Sequence, residues 1–495
     1  MNKDIEKAIT NLRSKSARYA KSERYYDGDH DLAFATEKFQ NTFGTLFREF
    51  ALNLCPVICD AVRDKLRVTG FSVDSVGSPR VNEGQSQANG AGGKVDATNP
   101  RVALTHVPAA DSIALDMVAR RIWQRNRMAT RSGELHKEAL KCGDAYMIVW
   151  PNKFGEAIFY PNKAANVTVA HDEDAPGRIA WAAKAWRTDD KHIRLNLFYP
   201  DRIEKYVSKT ESEGTLPDAA DFEPFGDAGR AGRGDAAIKP RTSGDFPSSL
   251  RLPITASDSV IPNPYGVVPV FHYANNADIG LTGRSELEAA TPVQDGLNKS
   301  VLDMLVAMEF AAFRQRWAAG IEVDFDADGK AIAPFKAGVD HIWIAGSSDA
   351  KFGDFDSADL DQFLKVKDSF RVDMACVTGT PLHYFLQNTG GLPSGESLKK
   401  AETRFLSKVR NRQENFGQVW ADAMAFALMI EGRGRDIRLI TTWEDPAPMS
   451  DREFLENILL KKQIGLSVQR ALVEAGYGEA DVEQMVVDKY TKMHI

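Results

Sequence analysis

The closest match to a catalytic motif in this sequence is a serine and a lysine at the predicted start of a helix. Ser397 and Lys400 form an S-x-x-K pattern, which is found in penicillin-binding serine enzymes. Those enzymes also carry S-D-N and K-T-G motifs, and the sequence contains neither. We therefore interpret the pattern as a capped helix start with solvated lysines.

Two glycine-rich segments were considered as phosphate-binding loops. GAGGKV at 90–95 lacks the leading glycine of a phosphate loop, and it has Val95 where serine or threonine would bind magnesium. The glycines of GDAGRAGRG at 226–234 neither follow a predicted strand nor open a helix. Both segments are therefore interpreted as flexible loops.

Residue types that bind metals occur without the spacing of a metal site. Nine histidines are scattered, and the one close cysteine pair, Cys55 and Cys59, has no second pair to complete a zinc site. An acidic cluster consists of Asp354, Asp356, Asp359 and Asp361. Such a cluster could hold a divalent cation, but it is more typical of a solvated surface with a helix N-cap. The sequence therefore predicts no catalytic residues, no cofactor and no metal site, and we expect a protein that is not an enzyme.

The overall charge is acidic. The 495 residues include 62 lysines and arginines against 69 aspartates and glutamates, which gives a formal net charge of -7. Proteins that grip nucleic acid by its phosphates usually carry a basic excess. If DNA approaches this protein, the composition favours passage along a surface to which DNA does not adhere. The N-terminus has no apolar core, and the longest apolar stretches are too short for a membrane span.

The middle of the chain is predicted to form an antiparallel sheet. Between 144 and 275, short β-branched and aromatic runs alternate with turn residues. Helical patterns precede it at 1–75 and 108–142, and the second pattern places Ile113, Met117, Ile122 and Trp123 on one face. Polar, low-complexity inserts at 74–100 and 208–252 are interpreted as loose surface loops.

Three long helices follow the sheet, at 285–317, 358–379 and 396–432. Ser285 and Glu288 have the spacing of a capping box at the start of the first, and Pro292 is expected to bend it. Its narrow apolar stripe consists of Val293, Leu297, Val301, Leu305 and Met308, and these residues are the candidates for packing. Polar residues, including Gln294, Asn298, Lys299 and Asp303, are expected to cover the rest of its surface. A thin stripe on a long helix suits packing beside another long helix or a copy of itself.

Four parts of the sequence together resemble the portal proteins of long-tailed bacteriophages. They are RYYDGDH with NLCPVICDAVRDKL, then KCGDAYMIVWPN, then GRSELEAATPVQDGLNKSVLDMLVAMEFAAFRQRWAAG, and finally TGTPLHYFL with SGESLKKAETRFLSKVRNRQENFGQVW. Each part alone is a weak signal. Their order and spacing, from about residue 19 to residue 432, make the resemblance specific.

The resemblance implies an α+β subunit of several parts. They are a wing of helices and antiparallel sheet at 1–282, a first stem helix at 283–317, a small α/β clip at 318–357, a second stem helix at 358–379, a tunnel loop at 380–395, a long wing helix and strand at 396–449, and a helical crown at 450–495. The tunnel-loop residues expected to face DNA are His383, Tyr384, Gln387, Asn388 and Thr389.

The resemblance also implies a function that is mechanical. About twelve copies would form a ring at one capsid vertex, through which the genome is packaged and ejected. The implied partners are the terminase large subunit, a head-completion or adaptor protein, the major capsid and scaffolding proteins, and double-stranded DNA that passes without sequence recognition. The protein would be found in the virion, and in the host cytoplasm during assembly, without a membrane. Two alternatives stay open: a large adaptor or scaffold subunit without a DNA channel, and an enzyme with an unrecognised site.

Overall fold

The structure, a computed structural model, describes a defined set of residues. They are 3–31, 52–73, 109–175, 177–225, 259–278, 282–312, 316–320, 349–354, 361–386, 395–435, 437–447, 451–474, 482 and 485. The predicted insert at 74–100 lies outside this set, as do most of the insert at 208–252 and most of the predicted clip.

The chain divides into two compact units. The larger unit comprises Met1–Glu23, Cys59–Glu288 and Gly395–Ile495, and the smaller unit comprises Arg24–Ile58 and Ala289–Ser394. The predicted stem helices and tunnel loop belong to the smaller unit, apart from the first residues of the predicted first helix. The predicted sheet and the third long helix belong to the larger unit.

A six-stranded antiparallel sheet packs on the N-terminal helix in the larger unit. Its strands are β4 (Val167–His171), β5 (Ile179–Arg187), β6 (Ile193–Phe198), β7 (Arg202–Ser208) and β8 (Phe222–Pro224) in that order, with β9 (Val260–Pro262) paired to β7. The helix α1 (Lys3–Asp27) contributes Ile5 and Ile9 to a core that also contains Leu195 and Leu197 of β6. The helical spacing of four and the strand spacing of two bring these four side chains into one apolar layer.

A second antiparallel sheet has three strands. β2 (Asp144–Pro151) lies between β10 (Val270–Ala274) and β3 (Ala157–Asn162). The first six residues of β2 are all buried, which explains why its sequence is continuously apolar instead of alternating. The single sheet predicted from the sequence is therefore two sheets, since strand patterns do not specify which strands pair.

The predicted helix at 108–142 is interrupted. It consists of α3 (Ala109–Arg125) and α4 (Met128–Cys142), and Arg127 between them has a φ of 53°. Asn126 ends α3 by donating from Nδ2 to the carbonyl oxygens of Ile122 at 2.9 Å and Ala157 at 3.0 Å. The Asn126 side chain hydrogen-bonds both to the last turn of α3 and to the first residue of β3. These bonds favour an end to the helix at this position over its continuation.

The packed face predicted for this helical region is partly wrong. Ile122 and Trp123 are buried as expected, but the Met117 side chain is 57% exposed. The side chain of Ile113 lies outside the described set.

The third long helix is confirmed as α7 (Gly395–Ile430). Its fully buried residues include Phe405, Val409, Phe416, Trp420, Ala423 and Ala427. Trp420 donates its indole N–H to Nε2 of the fully buried His136 at 2.8 Å, and burial lowers the pKa of this histidine to about 3. Although α7 has 36 residues, none of the described helices is both long and apolar enough to cross a membrane.

The remaining elements of the larger unit are small. They are α2 (Cys55–Arg63), whose first residues belong to the smaller unit, β1 (Val68–Val73), β13 (Leu439–Trp443), α8 (Asp451–Gln463) and α9 (Val468–Glu474). β1 and β13 pair antiparallel as a two-stranded sheet that packs on α3 and α7.

A buried aspartate joins distant segments of the larger unit. Asp144 is fully buried at the start of β2 and accepts hydrogen bonds from Arg18 at 2.8 Å, Tyr19 at 2.7 Å, His272 at 2.7 Å and the Gly283 N–H at 3.0 Å. Burial alone would raise the pKa of Asp144, but the hydrogen bonds and the charge of His272 outweigh it and lower this pKa. A buried carboxylate is stable only with such partners.

A second buried carboxylate secures the segment that leads to the predicted stem. Glu286 accepts hydrogen bonds from Arg412 of α7 at 2.8 Å and from Asn275 at 3.1 Å, and it pairs with Lys408 at 2.6 Å. Removing one partner of such a pair leaves an uncompensated buried charge. Two independent buried carboxylates therefore fix residues 283–288 within the larger unit.

The close approach of two glycines generates a prediction. A Cβ atom on Gly283 would lie 1.8 Å from the carbonyl oxygen of Gly143. Gly283→Ala should lower the free energy of unfolding by about 3 kcal/mol, because backbone must move on both sides. Denaturant unfolding followed by tryptophan fluorescence measures this change.

The matched control is the same substitution at an uncrowded helical glycine. Nothing lies within 4 Å of a Cβ built on Gly133 in α4, so Gly133→Ala should stabilise the protein by roughly 0.5–1 kcal/mol. Equal stabilities for Gly283→Ala and the wild type would contradict the packing described for the Gly143 contact.

Candidate functional site: a helix pair with a buried polar base

The first helix of the predicted stem begins later than expected. α5 spans Thr291–Ala312, whereas the sequence predicted a start at 285 and a bend at Pro292. Proline is favoured in the first turn, where its missing N–H is not needed, so Pro292 begins the helix instead of bending it. Ser285 closes a turn, in which its Oγ accepts a hydrogen bond from Leu287 N at 3.0 Å. The predicted capping box therefore does not mark the helix start.

The other end of the predicted helix also differs. Arg316–Ala319 forms a strand, β11, which pairs antiparallel with β12 (Lys351–Asp354), so the predicted helix is wrong at 316 and 317. A Cβ on Gly353 would lie 2.6 Å from the ring of Trp317, so the absence of a side chain at 353 makes room for the indole. The remainder of the predicted clip at 318–357 lies outside the described residues, except for 320 and 349–350.

The second predicted helix is confirmed as α6 (Asp361–Thr378), and it packs against α5. The ring of Phe370 lies over Gly296, where a Cβ would be only 2.8 Å from the ring. Leu297 and Val301 of α5 and Met374 of α6 are buried within the smaller unit. The two helices therefore form one packed pair within a single subunit.

Polar side chains in the first turns of α5 are buried, which corrects the sequence analysis. Gln294 is fully buried, and its Oε1 accepts a hydrogen bond from Leu54 N at 3.0 Å while its Nε2 donates to Leu52 O at 2.6 Å. Both ends of the amide thus satisfy backbone groups of the segment before α2. Gln294 was expected on the solvent face, because a glutamine on an amphipathic helix is usually exposed.

The next residue, Asp295, is also buried. Tyr25 donates its hydroxyl to the carboxylate, with distances of 2.8 Å to Oδ1 and 2.9 Å to Oδ2. Burial raises the pKa of Tyr25, and the hydrogen bond and charge of Asp295 raise it further, so the phenol remains a donor. This contact ties α5 to the end of α1.

A third buried pair joins Asn298 and His30. His30 Nε2 lies 3.0 Å from the carbonyl oxygen of Tyr25, so this nitrogen carries the proton. His30 Nδ1 is then the acceptor for the Asn298 amide at 2.8 Å. Burial lowers the pKa of His30, and the neutral imidazole matches both partners. Gln294, Asp295 and Asn298, with Tyr25 and His30, are called the polar base below.

Sequence reasoning missed the polar base for a physical reason. Helix periodicity separates apolar from polar residues, but it does not identify a polar residue whose partner comes from a distant segment. A signal was present, because RYYDGDH supplies a tyrosine and a histidine, which hydrogen-bond when buried. This motif was used only for the resemblance.

The candidate packing residues of the first stem helix differ in exposure. Leu297 and Val301 are buried in the smaller unit, Val293 and Leu305 are half-buried, and Met308 is 46% exposed. Substituting Leu297 or Val301 with a charged residue therefore disturbs the subunit itself, in addition to any effect on assembly.

The candidate loop residues are only partly described. Leu382–Tyr384 forms a short 3-10 turn after α6, in which His383 is exposed and Tyr384 is half-buried. The rings of these two residues lie with centroids 4.7 Å apart. Gln387, Asn388 and Thr389 lie outside the described residues.

Among the described residues, one group has the geometry to hold a metal ion. It consists of Glu23, Glu138 and Cys142 in the larger unit. Lys141 lies 3.0 Å from Glu138 and 3.3 Å from Glu23, and Lys163 lies 3.0 Å from Glu23. These ammonium groups already neutralise both carboxylates, so the cluster is explained as an ion-pair network. In the acidic cluster considered above, Asp356 and Asp359 lie outside the described set.

Comparison with known proteins identifies the class of protein to which this fold and helix pair belong. A family model described as phage portal protein, SPP1 Gp6-like, matches residues 106–487, which is well over half of the chain. The chain therefore belongs to the SPP1-type phage portal protein family. Members of this family are structural proteins and not enzymes, which agrees with the expectation from the sequence.

Two curated relatives support the assignment. The portal protein of Mycobacterium phage L5 is 27% identical over 242 residues, which is 46% of this chain and 49% of the relative. The portal protein of Mycobacterium phage D29 is 27% identical over 241 residues, or 45% and 48% of the two chains. The chain thus spans about half the length of these relatives.

Solved structures show a weaker likeness. A chain of the virion of a native gene transfer agent particle has a TM-score of 0.39 at 13% identity. The matched region is 73% of this chain and 84% of the virion chain. A chain from the neck of the native particle, computed with C12 symmetry, has a TM-score of 0.38 at 14% identity, covering 71% and 80%.

The polar base generates a prediction about pH. Because folding lowers the pKa of His30, the unfolded chain takes up the proton first as the pH falls below about 6.5. The stability conferred by neutral His30 is complete above that pH and is lost as the pH falls through the folded-state pKa. Between about pH 7.5 and about pH 5, the free energy of unfolding should therefore fall less in His30→Gln than in the wild type. Denaturant unfolding at each pH measures this difference.

The comparison isolates one histidine. His136 destabilises the protein in the same direction at low pH, but it is present in both proteins and cancels in the difference. His383→Gln, at an exposed histidine outside the polar base, is the matched control for loss of a histidine. An unchanged pH dependence in His30→Gln would show that the polar base does not exclude the proton.

Proposed function

We propose that this chain is the portal subunit that forms a ring at one capsid vertex and provides the channel for genome packaging and ejection. The observation that carries the proposal is the match to the phage portal family over 106–487, which covers α5, α6 and α7. About half of each curated relative is covered, so the activity of the whole particle is part of the proposal.

In this proposal, α5 and α6 form the stem and the segment between them forms the clip. The polar base supports this assignment, since it fixes the first turns of α5 within the smaller unit and so gives the stem a rigid start. Residues 1–282 and 396–449 form the wing, 380–395 the tunnel loop and 450–495 the crown.

The outer surface of the helix pair supports assembly with further copies. Exposed apolar side chains in the described part of the pair are Met308, Leu364, Val366, Val372 and Val377, each 40–47% exposed. Five large apolar side chains left exposed on one helix pair are candidates for burial against neighbouring copies. In a ring, the contacts between neighbours are heterologous and close by rotation.

The channel function is proposed from charge and from the missing phosphate loop. An acidic chain, with a net charge of -7, discourages DNA phosphates from adhering to a wall. In this proposal a docked terminase supplies the energy for packaging, which is consistent with the missing phosphate-binding loop. The terminase docks on the clip end of the ring, and head-completion or adaptor proteins later bind the same end. The capsid and scaffolding proteins surround the wing.

The loop residues complete the proposal. The tunnel loop presents polar side chains to the passing DNA, and none of them is a lysine or arginine that would hold the phosphates. These residues are His383, Tyr384, Gln387, Asn388 and Thr389. The ring is assembled in the host cytoplasm and remains in the virion.

The primary experiment measures mass and shape together. Light scattering on the purified protein should give a mass near twelve times the 54.7 kDa of the chain, and negative-stain images of the same fraction should show rings with a central hole. A preparation that contains only compact dimers or tetramers, with no rings in any fraction, would contradict the ring and favour an adaptor without a channel.

A substitution on the outer surface tests which face assembles. Val372→Glu places a charge at a 40% exposed position on α6, so the subunit should keep its folded stability while rings are lost. Gel filtration with light scattering measures assembly, and circular dichroism measures folding.

The control uses an equally exposed valine elsewhere. Val267 in the larger unit is also 40% exposed, and Val267→Glu should leave ring formation unchanged. If Val372→Glu forms rings as readily as Val267→Glu, the exposed face of α6 is not the subunit interface.

A further inference from the structure

An open cavity of about 1250 Å³ lies beside β13 in the larger unit. Its walls come from α7, from α8 and from the two-stranded sheet. β13 and the residues after it line the cavity without a gap from Leu439 to Ala447, whereas β1 contributes only Thr69. Asp64, Lys65 and Arg67, which lead into β1, also line the cavity, so the cavity runs along the whole length of β13. β13 has one edge that pairs with β1 and one edge that faces away from it.

The hydrogen bonds of the sheet show which backbone groups occupy that edge. Glu444 N donates to the carbonyl oxygen of Arg67 at 2.9 Å, and the carbonyl oxygen of Thr442 accepts from Thr69 Oγ1 at 3.1 Å. The backbone N–H and C=O groups of Thr442 and Glu444 thus point toward β1. In an antiparallel ladder the direction alternates, so the N–H and C=O groups of Leu439, Thr441 and Trp443 point to the other edge.

This edge has no strand partner in the described part of the chain, where the sheet contains β1 and β13 alone. An open edge is a template for an added strand, because its main-chain groups are already aligned for pairing. A volume of about 1250 Å³ is also larger than the usual range for small-molecule pockets, which is about 300–1,000 Å³.

The charges that flank β13 indicate what the added strand is. Arg438 precedes the strand and Glu444 follows it, and both lie three residues from Thr441. Arg438 is exposed and makes no ion pair with any residue that the structure describes. Glu444 lies 3.7 Å from Arg67, but both of these side chains are more than half exposed, so the carboxylate stays accessible to a second cation. If two β13 strands pair antiparallel about Thr441, each Arg438 lies opposite Glu444 of the other copy. The strand is therefore complementary in charge to itself.

The side chains on the outer face of the strand fit the same register. Ile440 is 48% exposed, and Thr442 on the same face is also exposed. In the pairing about Thr441, Ile440 of one copy lies directly opposite Thr442 of the other. Directly opposed β-branched side chains stabilise antiparallel pairs. The outward backbone groups match as well, since Leu439 then lies opposite Trp443.

We propose that β13 pairs antiparallel with β13 of a second copy of this chain, forming a two-fold dimer of the unassembled subunit centred on Thr441. A two-fold contact uses the same surface on both copies and differs from the heterologous contacts that close a ring. The inference therefore goes beyond the portal function and does not depend on it. Ring formation and dimer formation are separate readouts.

The first test exchanges the flanking charges. Sedimentation of the fraction smaller than rings gives the dimer dissociation constant. Arg438→Glu and Glu444→Arg should each raise this constant about tenfold, because each places like charges opposite one another twice in the dimer. The double variant Arg438→Glu/Glu444→Arg restores opposite charges and should return to within about threefold of the wild type. Arg178→Glu, at an exposed arginine of the turn between β4 and β5, should have no effect.

The second test reads the register directly. The test uses a background in which the exposed Cys376 is changed to serine. In this background, the double variant Ile440→Cys/Thr442→Cys should form covalent dimers on oxidation. The reason is that directly opposed residues of a non-hydrogen-bonded pair have their Cα atoms about 4.5 Å apart. Ile440→Cys alone should not form them, since the introduced thiol of each copy would face Thr442 of the other. Circular dichroism of each variant confirms that it is folded.

Any of four results would overturn the proposal, and three of them come from the two tests above. They are a wild-type subunit found only as monomers and rings, a double charge variant that fails to recover dimerisation, and a register in which Ile440→Cys alone forms the cross-link. Mass spectrometry that finds an extended segment of another protein on the β13 edge, in place of a second copy, would also overturn it.

Discussion

Buried polar side chains that require partners determine how α5 begins. Gln294, Asp295 and Asn298 lie in the first two turns of α5, and leaving one of them unpaired would cost about 1–3 kcal/mol. Each is satisfied by the segment that contains Tyr25, His30 and the residues before α2. The orientation of α5 is thus fixed by directional hydrogen bonds, while the apolar contact with α6 supplies most of the burial.

The larger unit uses the same principle in a different place. Asp144 and Glu286 are buried carboxylates that draw α1, β10, α7 and the segment at 283–288 together. Apolar packing tolerates small shifts, whereas a buried charge with several donors has one arrangement. A ring subunit benefits from this property, since small errors in each copy would accumulate around a closed ring.

The two surfaces that remain incompletely covered have different uses. The outer face of the α5–α6 pair exposes apolar side chains and suits the heterologous contacts of a ring. The edge of β13 exposes backbone groups flanked by opposite charges, which suits a two-fold pairing. In our two proposals, the first set of contacts belongs to the assembled ring and the second to the subunit before assembly.

The sequence by itself determined most of the strands between 144 and 275, the helices α6 and α7, and the family, because periodicity and motif order are local properties of the chain. It missed β8, which pairs with β7 inside the segment predicted as a loose insert at 208–252. Only the tertiary structure decided that the strands form two sheets, that Asn126 interrupts a helix, and that Pro292 starts one. It also decided that Gln294 and Asn298 are buried. Pro292 at a helix start follows from a local preference, whereas the other outcomes depend on partners from distant segments, such as Ala157 for Asn126 and His30 for Asn298. Local patterning contains no information about those partners.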